Sequence, residues 1–97
     1  MKYKDRNYLQ LSREIFKSQE FLDLSLAAKW LYFVLCELEH RFIGKEDFFF
    51  RSNEDLAKDA NLAGTTLKRA KKELRKTGLV EMFQIEKMSN ITGFRLK

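Results

Sequence analysis

Leu24, Ala28, Leu31, Leu35, Leu38 and Phe42 recur at alternating steps of four and three residues, the spacing that stacks side chains on one face of an α-helix. Ser25 stands where an N-cap belongs, and the pattern predicts a long helix over Leu26–His40. A second apolar row, Leu26, Trp30 and Phe33, lies beside the first. This helix is therefore apolar over more of its circumference than one packing face requires. Either the N-terminal segment or a second subunit must cover the surplus. Upstream, Tyr8-Leu-Gln-Leu11 alternates weakly, as a short strand or an extended strap does. Ile15, Phe16, Phe21 and Leu22 predict a short helix or turn within Arg13–Leu22.

Beyond the long helix, Arg41–Asp47 contains Gly44 and reads as a turn, and Phe48-Phe-Phe50 reads as a short strand ending at Ser52. Ser52-Asn-Glu-Asp55 resembles a capping box with Asp in the last position, and opens a helix to Ala60. The next helix is expected from about Thr65 to Thr77, with Gly78 where a left-handed C-terminal cap belongs. Leu79–Lys87 then alternates as a strand, Met88–Ile91 reads as a hairpin tip, and Thr92–Lys97 returns.

With 97 residues the chain makes one domain. Its segments are a strap over 1–24, the long helix over 25–40, a helix pair over 53–77 and a hairpin over 79–97. Thirteen aromatic residues are too many for a disordered chain. The lone Cys36 excludes an intramolecular disulfide framework and a Cys-based zinc site, and suits a reducing cytoplasm. The apolar run Trp30–Cys36 is too short to span a bilayer, and no apolar signal core follows the start. The expectation is a cytoplasmic protein without a membrane partner.

The net charge of +5 is unevenly spread. Between Thr65 and Gly78 lie Lys68, Arg69, Lys71, Lys72, Arg75 and Lys76 against the single acid Glu73. The other thirteen of the nineteen bases are cancelled by the other thirteen of the fourteen acids. One helix therefore carries the whole excess, which is the footprint of a polyanion binder.

That helix falls within a helix-turn-helix pattern over Asn53–Lys72. Leu56, Ala60, Leu62, Leu67 and Ala70 supply the apolar contacts between two crossed helices, and Ala57 is small where they approach. Asn61 occupies the turn, where its side chain tolerates the left-handed conformation. On the second helix Leu67, Ala70 and Leu74 face the core. Thr65, Arg69, Lys72 and Lys76 lie opposite, with Lys68 and Arg75 on one flank and Thr66 on the other. Because a helix in the major groove meets base edges with its first turns, Thr65, Thr66, Lys68 and Arg69 are the candidates for base readout. Arg69 suits the O6/N7 pair of guanine. Lys72, Arg75 and Lys76 are assigned to phosphates. The hairpin makes the element a winged helix-turn-helix, with Lys87, Asn90 and Arg95 as wing contacts to backbone or minor groove. Met88 and Ile91 are expected either to pack across the hairpin or to wedge into a minor groove.

The run "YLQLSREIFKSQEFLDLSLAAKWLYFVLCELEH", the strand "FFF" and "SNEDLAKDANLAGTTLKRAKKELRKTGLVEM" together resemble the N-terminal winged-helix domain of plasmid and phage replication initiators, the RepA-type and DnaD-like proteins. The likeness covers nearly the whole chain. It rests on "IF" before a short acidic stretch, "LSxxAKxLY" opening the long helix, and "LKRAKKEL…GL" running into the wing. It implies a mainly α (α+β) winged helix-turn-helix with a three-helix core and a C-terminal β-hairpin wing. The function implied is sequence-specific binding of double-stranded DNA in replication, transfer or transcriptional control. Members of that group usually carry a further C-terminal domain, and this sequence ends with the wing, which favours a small accessory factor or a trimmed chain.

A homodimer through Leu26, Trp30 and Phe33 is expected from the surplus apolar surface. The alternative reading is a winged helix that docks on an acidic replication or transfer protein. A third is a nonspecific nucleoid-type binder. His40 beside Glu37 and Glu39 lacks the further ligands of a metal site, Cys36 sits in an apolar helix, and no serine has a His–acid partner. Neither an enzyme nor a cofactor is expected.

Overall fold

The structure, a computed structural model, describes residues 13–42, 48–85 and 88–96. It is a small, mostly helical α+β fold. A 3-10 turn at Arg13–Lys17 leads into α1 (Gln19–Leu22) and α2 (Leu26–Phe42). These are followed by β1 (Phe49–Ser52), α3 (Asn53–Ala60), α4 (Gly64–Thr77), β2 (Val80–Ile85) and β3 (Met88–Leu96). The predicted strap at Tyr8–Leu11 and the turn at Gly44 lie outside the described residues. Helix α2 continues through Phe42, two residues past the expected end, and so completes the apolar stripe.

Local chemistry sets the helix ends. The Ser25 hydroxyl accepts from the Ala28 N–H at 3.2 Å, and the Ser52 hydroxyl accepts from the Asp55 N–H at 3.0 Å. Both contacts satisfy first-turn donors that have no partner within the helix. Asn61 ends α3 at φ 55° and ψ 48°. The Leu62 N–H then donates to the Ala57 carbonyl at 3.0 Å, a Schellman-type closure that aims the chain into α4. Gly78 closes α4 at φ 79°, where a side chain would be strained.

The core is a cluster in which Leu31 and Leu35 of α2 meet Leu56 of α3, Leu67 and Leu74 of α4, Val80 of β2 and Phe94 of β3, all fully buried. The short N-terminal segment closes one side through Ile15, Phe21 and Leu24. Phe21 packs edge-on to Tyr32 with centroids 5.6 Å apart and against Phe33 at 5.8 Å. This covers part of the apolar surplus on α2. Leu26 remains 83% exposed and Trp30 50%, although the Trp30 indole N–H donates to the Ala60 carbonyl at 2.8 Å and so steadies the end of α3.

The sheet is antiparallel in the order β1-β3-β2, so the last strand is central. This corrects the expected hairpin tip: Met88–Ile91 is strand, with Ile91 opposite Ser52 of β1 and Met88 opposite Ile85 of β2. Residues 86–87, between the two strands, lie outside the described residues. Ile91 is half-buried within the ladder, which agrees with cross-strand packing and not with a wedge at a tip. Thr92 and Met88, four residues apart, oppose the adjacent Gln84 and Ile85. β3 therefore bulges between them.

Alternation along β3 sends Thr92 and Phe94 inward and Gly93 and Arg95 outward. Phe49 stacks on Phe94 at 5.5 Å inside. Outside, Phe83 lies across Gly93 and meets Phe48 and Phe50 edge-on. A Cβ on Gly93 would collide with the Phe83 ring. Gly93→Ala is expected to destabilise by about 1–3 kcal/mol through overpacking, measured by urea unfolding. Because only the ring is in the way, the same substitution made in a Phe83→Ala background should cost much less.

Candidate nucleic-acid interface

Helix α4 is held on three sides, and the holding decides which of its side chains remain outward. Leu67, Ala70 and Leu74 are buried against the core. On one flank Glu73 is turned to the start of α2, where Oε1 accepts from the Ser25 N–H at 2.9 Å and Oε2 from the Ser25 hydroxyl at 2.7 Å. A capping box normally draws its carboxylate from the third position of the same helix; here a different helix supplies it. The two hydrogen bonds from Ser25 hold the Glu73 carboxyl below its ordinary value, with Arg69 adding a smaller pull in the same direction.

On the opposite flank Lys71 runs inward. It is 9% exposed, and its ammonium donates to Asn53 Oδ1 at 2.7 Å and to Thr92 Oγ1 at 2.9 Å. The charge lies 5.7 Å from the centre of the Phe94 ring, within reach of cation–π attraction. Burial pushes the Lys71 ammonium below the ordinary lysine range, and the like charge of Arg75 pushes the same way. Lys71 thus ties α4 to the first residue of α3 and to the central strand. From sequence it is one of the six excess bases of the helix, with no assigned place on either face. Its place beside Leu67, Ala70 and Leu74 on the helical wheel was the available signal.

What is left outward is nearly all positive. Thr65, Lys68, Arg69, Lys72, Arg75 and Lys76 are exposed, and Thr66 is half-buried on the α2 side with Glu73. Among the described residues, no ion pair engages Lys68, Arg69, Lys72, Arg75 or Lys76. The helix begins one residue before the expected Thr65, at Gly64. Ala63 is its N-cap and no side chain caps its first turn, so the leading N–H groups add partial positive charge at the same end.

The wing candidates are less uniform. Asn90 is exposed, on the bulged stretch of β3. Lys87 lies outside the described residues. Arg95 is half-buried: its Nη1 donates to Glu81 Oε1 at 2.7 Å, and its guanidinium lies 5.6 Å from the Phe48 ring and 5.7 Å from the Phe83 ring. A phosphate at Arg95 would compete with that carboxylate and those rings.

β1 is fastened to α3 by Arg51, whose Nε and Nη2 donate to the two oxygens of Asp59 at 2.7 and 2.9 Å. This fork-to-fork geometry makes it a directional ion pair. Burial pushes the Cys36 thiol up to about 11, so little thiolate forms at neutral pH. Among the described residues no group of three or more His, Cys, Asp or Glu side chains is arranged to hold a metal ion, and no helix is long and apolar enough to cross a membrane. Compared with protein-family models, curated proteins and solved structures, the chain matches none.

The Glu73–Ser25 contact has a definite pH signature. Because the folded carboxyl sits below its unfolded value, the stability that this contact contributes is present above the ordinary glutamate range. It is lost as pH falls through the lowered value. Glu73→Gln should cost about 0.5–1.5 kcal/mol near neutral pH. The gap between variant and parent in urea midpoint should narrow as pH falls below the ordinary glutamate range.

Proposed function

We propose that the protein is a cytoplasmic winged helix-turn-helix that binds double-stranded DNA in a sequence-specific way. On this reading it serves a mobile element in replication, transfer or transcriptional control, in keeping with its resemblance to plasmid and phage replication initiators. The observation that carries the proposal is the exposed face of α4. Five basic heads stand outward there without an ion pair among the described residues, while the helix's one acid is occupied on the α2 flank. A solvated helix face would not need such segregation; a surface meeting a polyanion does.

In this account α4 lies in the major groove, its first turns toward base edges and its later turns along the backbone. Arg69 reads a guanine. Thr65 stands at the leading end of the outward row, and Thr66 reaches bases only from the α2 side. Lys72, Arg75 and Lys76 neutralise phosphates, and Asn90 and Lys87 extend the contact through the hairpin. Two copies related by symmetry would double the base contacts available to one short helix. Leu26 and Trp30 are the exposed apolar groups through which the proposed dimer closes.

Mobility shift against DNA flanking the protein's own gene, with random duplex as competitor, tests the binding directly. The shift should survive excess competitor, and its log–log salt slope should be about −4 for four or five phosphate contacts. Arg69→Ala should cost about 1–3 kcal/mol on the preferred site and blur its sequence preference, whereas Lys76→Ala should weaken all duplexes alike. A shift that random DNA removes equally would reduce the protein to a nonspecific binder. No shift at all would favour an acidic protein partner. Sedimentation at micromolar concentration should give a dimer that Leu26→Glu disrupts, and a monomeric parent would remove the dimer from the account.

A further inference from the structure

Beside the outward row of α4, on the flank that faces the sheet, lies a recess of about 250 Å³. Its lining among the described residues is Lys68, Lys71, Lys72 and Arg75, four bases and no acid. Three of the four reach it from the solvent side. The fourth, Lys71, is more than nine-tenths buried and is fixed from behind by Asn53 and Thr92. An ammonium has three donors, and those two oxygens take two of them.

The recess is therefore unlike a set of flexible surface lysines. One of its cations is immobilised before any ligand arrives, so the ordering cost that normally weakens a lysine contact is already met by the fold. The neighbouring charges also repel one another with no acid in the lining among the described residues, and the helix's one acid, Glu73, is committed to Ser25 on the other side. A ligand that brings negative charge removes this repulsion; a neutral one does not.

We propose that this recess is a phosphate seat, in which Lys68, Lys72 and Arg75 close on one phosphate group above the buried ammonium of Lys71. The ligand chemistry is a tetrahedral phosphate oxyanion, matched by a guanidinium fork and point-charge ammoniums. Its source is either the backbone of duplex DNA or a free phosphate. As a backbone site the inference rests on the DNA-binding reading, and it sharpens that reading in one respect. Lys68 belongs with the phosphate contacts and not with base readout, and the sugar-phosphate backbone runs along the sheet-facing flank of α4.

The test uses the full chain and two probes. In the first arm, inorganic phosphate is titrated at constant ionic strength, with chloride and acetate as controls, while amide and side-chain resonances of α4 are followed by NMR. Saturable shifts at Lys68, Lys71, Lys72 and Arg75 are expected with phosphate alone. The variant K72Q/R75Q, altered only at exposed positions, should weaken them by about tenfold or more.

In the second arm, duplex DNA affinity is measured against salt. The same variant should reduce the magnitude of the log–log slope by about 0.9, the worth of the one phosphate held in the seat, and Lys68→Ala should weaken all sequences equally. Phosphate shifts without DNA affinity would uphold the seat with a free phosphate as its ligand and overturn the DNA reading. DNA binding with an unchanged slope in K72Q/R75Q, and no phosphate-specific shift, would overturn the seat and leave the DNA reading standing. Shifts equal in phosphate and acetate would also overturn it, because a carboxylate would then fit as well.

Discussion

Lys71 carries its charge into the junction of α3, α4 and the sheet, and the geometry of the outward surface depends on how that charge is satisfied there. Asn53 holds it from the first residue of α3, Thr92 from the central strand, and the Phe94 ring lies within 5.7 Å. Hydrogen bonds to a charged group contribute roughly 1.5–3 kcal/mol each, and a buried charge deprived of them costs more than that. The three elements therefore cannot slide apart singly. The contact thereby fixes how α4 sits against α3 and the central strand. An apolar residue at position 71 would fill the space but would not specify the register of Thr92 against α4.

The two flanks of α4 solve one electrostatic difficulty in opposite ways. A helix with six bases repels itself, and its single acid would ordinarily be expected to sit among the bases as an internal counter-charge. Instead Glu73 leaves them and caps α2 through Ser25, where the partial positive charge at a helix start favours a carboxylate. Lys71 leaves them also, inward. Five heads remain exposed, and their mutual repulsion is relieved there by water and salt. The fold thus spends its acid on stability and keeps its bases for the surface.

Much of this was legible in the sequence where the cause is local. The stripe from Leu24 to Phe42, the Ser25 and Ser52 caps, the left-handed Asn61 and the Gly78 terminus all depend on a few neighbouring residues, and the structure has them as expected. The outward row Thr65, Arg69, Lys72 and Lys76 followed from helical period alone. What escaped depends on partners distant in sequence. Glu73 meets Ser25 across 48 residues and Lys71 meets Thr92 across 21. Met88–Ile91 reads as a polar turn until its ends are seen in the ladder, Ile91 opposite Ser52 of β1 and Met88 opposite Ile85 of β2. Arg95, plausible as a wing contact from composition, is drawn onto Glu81 and two aromatic rings by strand alternation that a hairpin with a later tip would have shifted.

The central claim is that the face of α4 left open by Lys71 and Glu73 is the surface that meets DNA. Chemical-shift mapping of the full chain on titration with a short duplex from the flanking region of its gene tests this most directly. The account predicts that the largest changes fall on Thr65, Arg69, Lys72 and Lys76, with smaller ones at Asn90 and none on the exposed side of α2 at Leu26 and Trp30. Changes centred on α2, or on the outer sheet face around Phe50 and Phe83, with α4 undisturbed, would contradict it.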